Sequence, residues 1–246
     1  IHDLVKGLSL NLVAARSQGY YNQEARKRSL YWYGRSTNTI RFTANVPNEL
    51  DKTKNKSYDN NLQAYLNYDL DISNAHHFKV LGGWQFEEFR QDQVSATATS
   101  MITNDFWSFN YADLLTKTNA DDIQSWAMGS YFGRFNYDYK NKYLFEANLR
   151  FDGSSRLAPE NRWSAFPSFS AGWNLGQEDF VRNALPFVNN LKLRASWGRL
   201  GNGSVLGLYD YIPLLTVGTD LDFNDQKTQY LYQKELASST KTWEIV

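Results

Sequence analysis

The sequence of 246 residues has no cysteine, two methionines and five prolines, and its 26 Lys and Arg are matched by 26 Asp and Glu. Lack of cysteine excludes a disulfide scaffold, a thiol catalyst and any cysteine-ligated metal. Zero net charge removes the usual electrostatic case for nucleic-acid binding. No apolar run approaches the ~18 residues that mark a transmembrane helix. The chain opens Ile1-His2-Asp3-Leu4-Val5, without an initiator methionine or the charged and apolar regions of a signal peptide. It stops at Trp243-Glu244-Ile245-Val246, within what reads as a strand, so a piece of something longer is expected. Disorder is excluded because 42% of the residues are hydrophobic. Aromatics are the abundant class: 8 Trp, 16 Tyr and 15 Phe make up 16%, a load that asks for a use beyond an ordinary core.

The dominant period is two, which places apolar residues on one face of a strand. Tyr143, Phe145, Ala147, Leu149 and Phe151 alternate with Glu146, Asn148, Arg150 and Asp152. The same holds for Tyr131 to Tyr139, Leu62 to Leu70 and Leu191 to Trp197, and more weakly for Leu8 to Ala14, Phe78 to Phe86 and Phe169 to Leu175. With a last strand near Thr242, about eight strands are expected. One segment reads as helical, Gln177 to Asn189, with Glu178 and Asp179 in its first turn and Pro186 limiting it.

Connections alternate in length. Asp71–Ala75, Lys140–Lys142 and the compact 177–190 link are short, and 152–163 is moderate. Segments 17–57, 95–125 and 200–240 run to roughly 30–40 residues, well beyond ordinary loops. In an up-and-down meander this puts the long loops at one end and the tight turns at the other, the asymmetry of outer-membrane barrels. The polar face mixes Asn, Gln, Asp, Ser and Arg, as a hydrated lumen would. Tyr137, Tyr139, Tyr143, Trp173 and Trp197 stand near strand ends, where aromatic girdles form. The fold expected is all-β: a transmembrane antiparallel up-and-down β-barrel. Two alternatives share the alternation: a soluble aromatic-rich β-sandwich that binds glycans, and a complete small eight-stranded barrel.

Five strings carry a family resemblance. They are Lys6-Gly-Leu-Ser-Leu10, Tyr143-Leu-Phe-Glu-Ala-Asn-Leu-Arg-Phe-Asp-Gly-Ser-Ser-Arg156, Asn161-Arg-Trp163, Phe166-Pro-Ser-Phe-Ser-Ala-Gly-Trp173 and Asn190-Leu-Lys-Leu-Arg-Ala-Ser-Trp-Gly-Arg-Leu-Gly-Asn202. In that order and spacing the chain resembles the barrel of SusC/RagA-like TonB-dependent transporters, the nutrient importers of Bacteroidetes outer membranes. The match is most specific over 126–202 and weak within 203–240. The resemblance implies a 22-stranded barrel, of which residues 1–246 supply about eight strands of one barrel domain. The family's plug domain and TonB box match nothing in the sequence. It also implies TonB-driven import of oligosaccharides or peptides, a SusD-like surface lipoprotein as partner, no enzyme activity and a place in the cell outer membrane of a Gram-negative bacterium.

No catalytic constellation is found. Glu87-Glu88 diverge on a strand, and Asp121-Asp122 and Asp220-x-Asp222 read as solvated loop charge. Asp220-x-Asp222-x-Asn224 begins like a Ca²⁺ loop, but Asp225 replaces its glycine and Leu231 its bidentate glutamate. His76 and His77 are adjacent and diverge in an extended chain, so no zinc spacing exists. Asp152-Gly153 reads as a tight strand exit. Recognition falls instead to loop aromatics: Phe106, Trp107, Phe109 and Tyr111 in one loop, Tyr209, Tyr211, Phe223, Tyr230 and Tyr232 in another. Such rings suit stacking on sugars, packing on a partner, or packing loop on loop. Gln63, Asn67, Arg134, Asn136, Asn148, Arg150 and Arg194 are the expected lumen or plug-facing set.

Overall fold

A computed structural model describes residues 3–185, 187–188, 190–203, 206–223 and 226–246. Its elements in order are β1 (Asp3–Val5), β2 (Leu8–Lys27), β3 (Leu30–Tyr33), β4 (Ile40–Ala44), β5 (Glu49–Ile72), β6 (His76–Thr99), β7 (Thr118–Tyr139), β8 (Tyr143–Ser154) and β9 (Trp163–Trp173). There follow α1 (Asp179–Ala184), β10 (Leu193–Gly198), β11 (Gly201–Asn202), β12 (Leu215–Phe223), β13 (Gln226–Gln233) and β14 (Glu244–Ile245). Eight strands form one open sheet in the order β1-β2-β5-β6-β7-β8-β9-β10. Strands that adjoin in this sheet adjoin in the chain, apart from the β3–β4 hairpin carried between β2 and β5, so the topology is a meander.

The chain divides into two compact units. The first comprises Ile1–Ala15, Asn60–Glu88 and Trp126–Val246, the second Arg16–Asp59 and Phe89–Ser125. In the first unit the register is continuous from Tyr139↔Tyr143 to Met128↔Ser154 between β7 and β8, and from Tyr143↔Trp173 to Gly153↔Trp163 between β8 and β9. Lys140 and Asn141 both adopt positive φ, 53° and 56°. That is the mirror-image two-residue turn whose twist matches flanking strands. At Gly7 (φ 83°) an added Cβ would sit 2.2 Å from the Asp69 carbonyl oxygen, so only glycine fits between β1 and β2. Backbone bonds also tie the turns to their neighbours: Asp69 N–H of β5 to Gly7 O at 2.8 Å and, from turn to turn, Lys140 N–H to Ala75 O at 2.7 Å and Asn174 N–H to Lys142 O at 2.8 Å.

Several boundaries differ from expectation. Segments 17–57 and 95–125 are largely strand: β2 reaches Lys27, β5 begins at Glu49, and β6 and β7 extend to Thr99 and from Thr118. Their sequences, such as Lys52-Thr-Lys-Asn-Lys56, pair as strands while presenting no apolar face. Asp121-Asp122 therefore lies within β7, and its two carboxylates point to opposite faces. The expected helix 177–189 is a 3₁₀ turn at Leu175–Gln177 followed by the six-residue α1. Leu185, which precedes proline in sequence, leaves the helical region at φ −132°. The strand expected near Thr242 is the short β14, which pairs with β11 outside the main sheet. Gly153 stands one residue before β8 ends and is still paired with Trp163, and a Cβ there would meet the indole at 2.5 Å.

Buried side chains gather in two small clusters. Leu50, Ala98, Met101 and Ala112 form one in the second unit, with Trp107 and Phe109 packed against them. Leu157, Phe166, Leu206 and Trp243 form the other in the first unit, with Met128 beside them. Trp243 lies edge-on to Phe166, centroids 5.4 Å apart, and donates from Nε1 to Arg162 O at 3.0 Å. Each large apolar side chain removed from water here contributes about 1.5–3 kcal/mol.

Candidate functional site

Alternation gives the sheet of the first unit two unlike faces. On one, Phe135, Phe145, Leu149, Phe151, Phe169 and Trp197 remain substantially exposed. The face is bordered by rings. At the tight-turn end, His76, Tyr139, Tyr143 and Trp173 stand in a row, with successive centroids 4.8, 6.3 and 6.0 Å apart. At the far end of β8 and β9, Tyr131 and Phe151 lie beside Trp163 at 6.0 and 5.2 Å.

Glu178 fastens the first row. Its carboxylate accepts from Lys142 Nζ at 2.9 Å, from Trp173 Nε1 at 3.1 Å and from Tyr143 O–H at 3.0 Å. The Lys142 hydrogen bond, then that of Trp173, holds the Glu178 carboxyl below its ordinary range. The same contact raises the Lys142 ammonium.

The opposite face is polar and internally bonded. Arg134 donates from Nε to Asn148 Oδ1 at 2.7 Å, and Asn148 Nδ2 donates to Glu146 at 2.8 Å. Asn136 Nδ2 donates to the other Glu146 oxygen at 3.1 Å, while Asn136 Oδ1 is buried without a hydrogen-bond partner among the described residues. Arg150 bridges Ser130 Oγ and Asp152, each at 3.1 Å. Asn67 donates to Ser9 Oγ at 3.5 Å. A cleft of ≈ 660 Å³ opens on this face, lined among others by Asp71, His77, Lys79, Asn136, Glu146, Lys192 and Arg194. A second of ≈ 440 Å³ is lined by Gln63, Arg134, Asn148 and Arg150 with Leu81, Phe132, Gly133 and Ser168. All seven residues expected on the lumen side thus share one face. Within each bonded set the cations meet carboxylates, amides or hydroxyls. No nucleophile is paired with a base, and no group of metal-ligating side chains occurs among the described residues.

The four aromatics of the 95–125 segment divide. A 3₁₀ turn at Phe109–Tyr111, whose Asn110 N–H is capped by Ser108 Oγ at 3.3 Å, orients them. Trp107 and Phe109 pack on the Leu50 cluster. Phe106 and Tyr111 are exposed and face each other at 6.1 Å. Tyr209 and Tyr211 are half-buried. Tyr230 and Tyr232 lie 5.5 Å apart on β13. The side chains of Asp220, Asp222 and Phe223 are not among those described, and Asn224 of the calcium-like string falls outside the described residues. His76 and His77 do diverge: His76 meets the Tyr137 hydroxyl at 2.8 Å, His77 the Asp71 carboxylate at 2.6 Å. Arg156 and Arg162 bond loop carbonyls, Leu206 O at 3.0 Å and Leu157 O at 3.4 Å.

No protein-family model matches the chain. Among relatives, TonB-dependent receptor P26 of Formosa agariphila is 35% identical over 156 residues, 62% of this chain and 15% of that protein. TonB-dependent receptor P39 of the same organism is 32% identical over 67% of this chain and 16% of its own length. TonB-dependent receptor SusC of Bacteroides thetaiotaomicron is 38% identical over 112 residues, 46% of this chain and 10% of that protein. The RagAB peptide transporter structure superposes with a TM-score of 0.79 over 98% of this chain and 25% of the matched chain, at 19% identity. A closed-closed RagAB structure gives 0.75 at 21% identity. This is a SusC/RagA-like barrel segment. It spans about 15% of the length of the relatives matched over most of it, and its sheet stays open as a part of a barrel wall does.

Two features of the segment were not visible in its sequence pattern. The β3–β4 hairpin exposes Tyr31, Trp32, Tyr33 and Phe42, with Trp32 and Phe42 paired across it at 5.0 Å. The run Leu30-Tyr-Trp-Tyr33 was the available signal. Glu178 was legible only as a first-turn acid, because its three donors come from elements joined by folding.

Proposed function

We propose that this chain is part of the wall of an outer-membrane TonB-dependent importer that takes up oligosaccharides or peptides with a SusD-like surface lipoprotein and catalyses no reaction. Residues 1–246 belong on this reading to a single barrel domain. The observation that carries it is the two-faced sheet between aromatic rows. Strand β9 has 11 residues and a tryptophan at each end. It spans about 33 Å along its axis, hence about 25 Å along the membrane normal at a ~40° tilt, which is the apolar height of outer-membrane barrels. The polar face then lines the path. Its Arg134–Asn148–Glu146–Asn136 chain holds fixed donors and acceptors for water, plug or passing solute. Exposed Phe106 and Tyr111 are the loop rings best placed to touch substrate or lipoprotein, since Trp107 and Phe109 are committed to packing.

The segment itself contains no cysteine, so a single cysteine introduced into it is read against the unsubstituted transporter. Single cysteines at Asn67, Asn136 and Asn148, in cells making the whole transporter, should react with a polar maleimide. Those at Leu66, Phe145 and Leu149 should be reached only by a lipid-soluble reagent. The reverse pattern would overturn the reading, and a stable water-soluble monomer would favour the glycan-binding sandwich.

A further inference from the structure

Charge in the second unit is sorted by strand face. On β2 and β5 the even positions carry Arg16, Arg26, Lys52, Lys54 and Lys56 against one carboxylate, Glu24. The odd positions carry Glu49, Asp51 and Asp59 against one cation, Lys27. Cross-strand contacts confirm that the even residues share a face: Arg16 lies over the Tyr58 ring at 5.2 Å, Lys56 over Tyr20 at 6.0 Å, and Lys52 meets Glu24 at 2.9 Å. Arg26 also pairs with Glu24. Strand β6 adds Arg90 to this face, neutralised by Asp92 at 3.0 Å. Arg16, Lys54 and Lys56 are exposed and in no ion pair among the described residues, and Tyr20 is 66% exposed.

The same even positions are apolar further along each strand. In β2 they read Leu8, Leu10, Leu12 and Ala14 before Arg16, and in β5 Leu70, Tyr68, Leu66, Ala64 and Leu62 before Asn60, Tyr58 and Lys56. A strand face that changes from aliphatic to cation-plus-tyrosine within two to four residues matches a bilayer, whose hydrocarbon gives way to headgroups. Long cationic side chains over tyrosine rings put their charge where headgroup phosphate lies, and each such charge strengthens attachment to an anionic surface.

We infer that the Arg16/Tyr20/Lys54/Lys56/Tyr58 face is a binding surface for phosphate-bearing lipid headgroups of the leaflet beside the loops. The inference rests on the reading that the even, apolar positions face lipid. Charge complementarity selects this occupant: on β2, β5 and β6 this face carries six cations against Glu24, Glu88 and Asp92, and Arg16, Lys54 and Lys56 are left without an ion pair among the described residues.

The test compares the whole transporter with the variant Arg16→Gln/Lys54→Gln/Lys56→Gln in phosphatidylcholine vesicles with and without bis-phosphorylated lipid A, scoring lipid A retained on extraction. Retention should fall about 100-fold at low salt in the triple variant, and removal of the lipid A phosphates should abolish the difference. Lys27→Gln, on the opposite face, should leave retention within about two-fold. Unchanged retention in the triple variant, with the maleimide pattern of the wall intact, overturns this inference alone. A reversed maleimide pattern overturns both it and the membrane reading. Loss of polygalacturonate binding in the triple variant, with lipid A retention kept, assigns the face to an acidic saccharide and also overturns it.

Discussion

The sheet and the loop clusters of this chain handle apolar side chains in opposite ways. In the sheet, Leu149 is 52% exposed and Trp197 is 61% exposed, although both sit in regular, fully registered strands. In the clusters, Leu50 is 0% and Leu157 1% exposed, although both lie at strand ends or in loops. A soluble protein does the reverse, burying its regular elements and wetting its loops. Lipid takes the place of a core for the sheet, whereas long loops in water have to build cores of their own. The difference teaches where the folding free energy of each region comes from: bilayer transfer for the first, side-chain packing for the second.

That contrast can be broken from either side. The largest effect is expected for Trp243→Ala, which removes the indole from Phe166 and the bond to Arg162 O, and should cost about 3–5 kcal/mol locally. Limited proteolysis should then cut within 199–242 while the barrel keeps its heat-modifiable mobility. Loss of the barrel itself would show that the loop core also supports the wall. Next is Leu149→Arg on the lipid face, expected to cost about 2–4 kcal/mol in a bilayer. Urea titration in vesicles should detect it, and a cost equal to that of Leu149→Ala would mean this face does not meet lipid.

Asn48→Ala comes third. Its Oδ1 accepts from Met101 N–H at 2.7 Å and its Nδ2 donates to Asn104 at 3.1 Å, both beside the Leu50 cluster. Leaving that amide unpaired should cost about 1–3 kcal/mol, read as faster hydrogen exchange at Met101. The smallest effect is that of Glu178→Gln. The folded carboxyl is held below its ordinary value of 4.5 by Lys142 and Trp173. Its contribution is therefore complete above that pH and lost as pH falls through the lower folded value. Protection of the α1 amides, taken relative to their intrinsic exchange rate at each pH, should fall on acidification in the parent and be nearly flat with pH in Glu178→Gln.

The sequence made the wall legible because each spanning stretch needs one apolar face, and period two survives in a single strand such as 143–151. It left the outer halves of β2 and β5 unread because those stretches have no apolar face, although Lys52, Lys54 and Lys56 mark the alternation in charge instead. The loop cores were unreadable for another reason. Leu50, Ala98, Met101 and Ala112 come from three segments, and no local pattern announces that they meet. That Gln63, Asn67, Arg134, Asn136, Asn148, Arg150 and Arg194 share one face was readable by parity alone. The split of Phe106 and Tyr111 from Trp107 and Phe109 was not, since a 3₁₀ turn breaks parity there.

The bonds that join one tight turn to the next bear on the circumference of a closed wall. Lys142 to Asn174 continues the pairing of Tyr143 with Trp173 by one more step, so the turns lock the offset between neighbouring hairpins. In a closed barrel the summed offset and the strand number together fix the radius. A hairpin that slipped by two residues would break its turn-to-turn bond and alter the circumference. These small turns therefore act as a gauge: from one rim they fix the share of the offset that this segment's strands contribute.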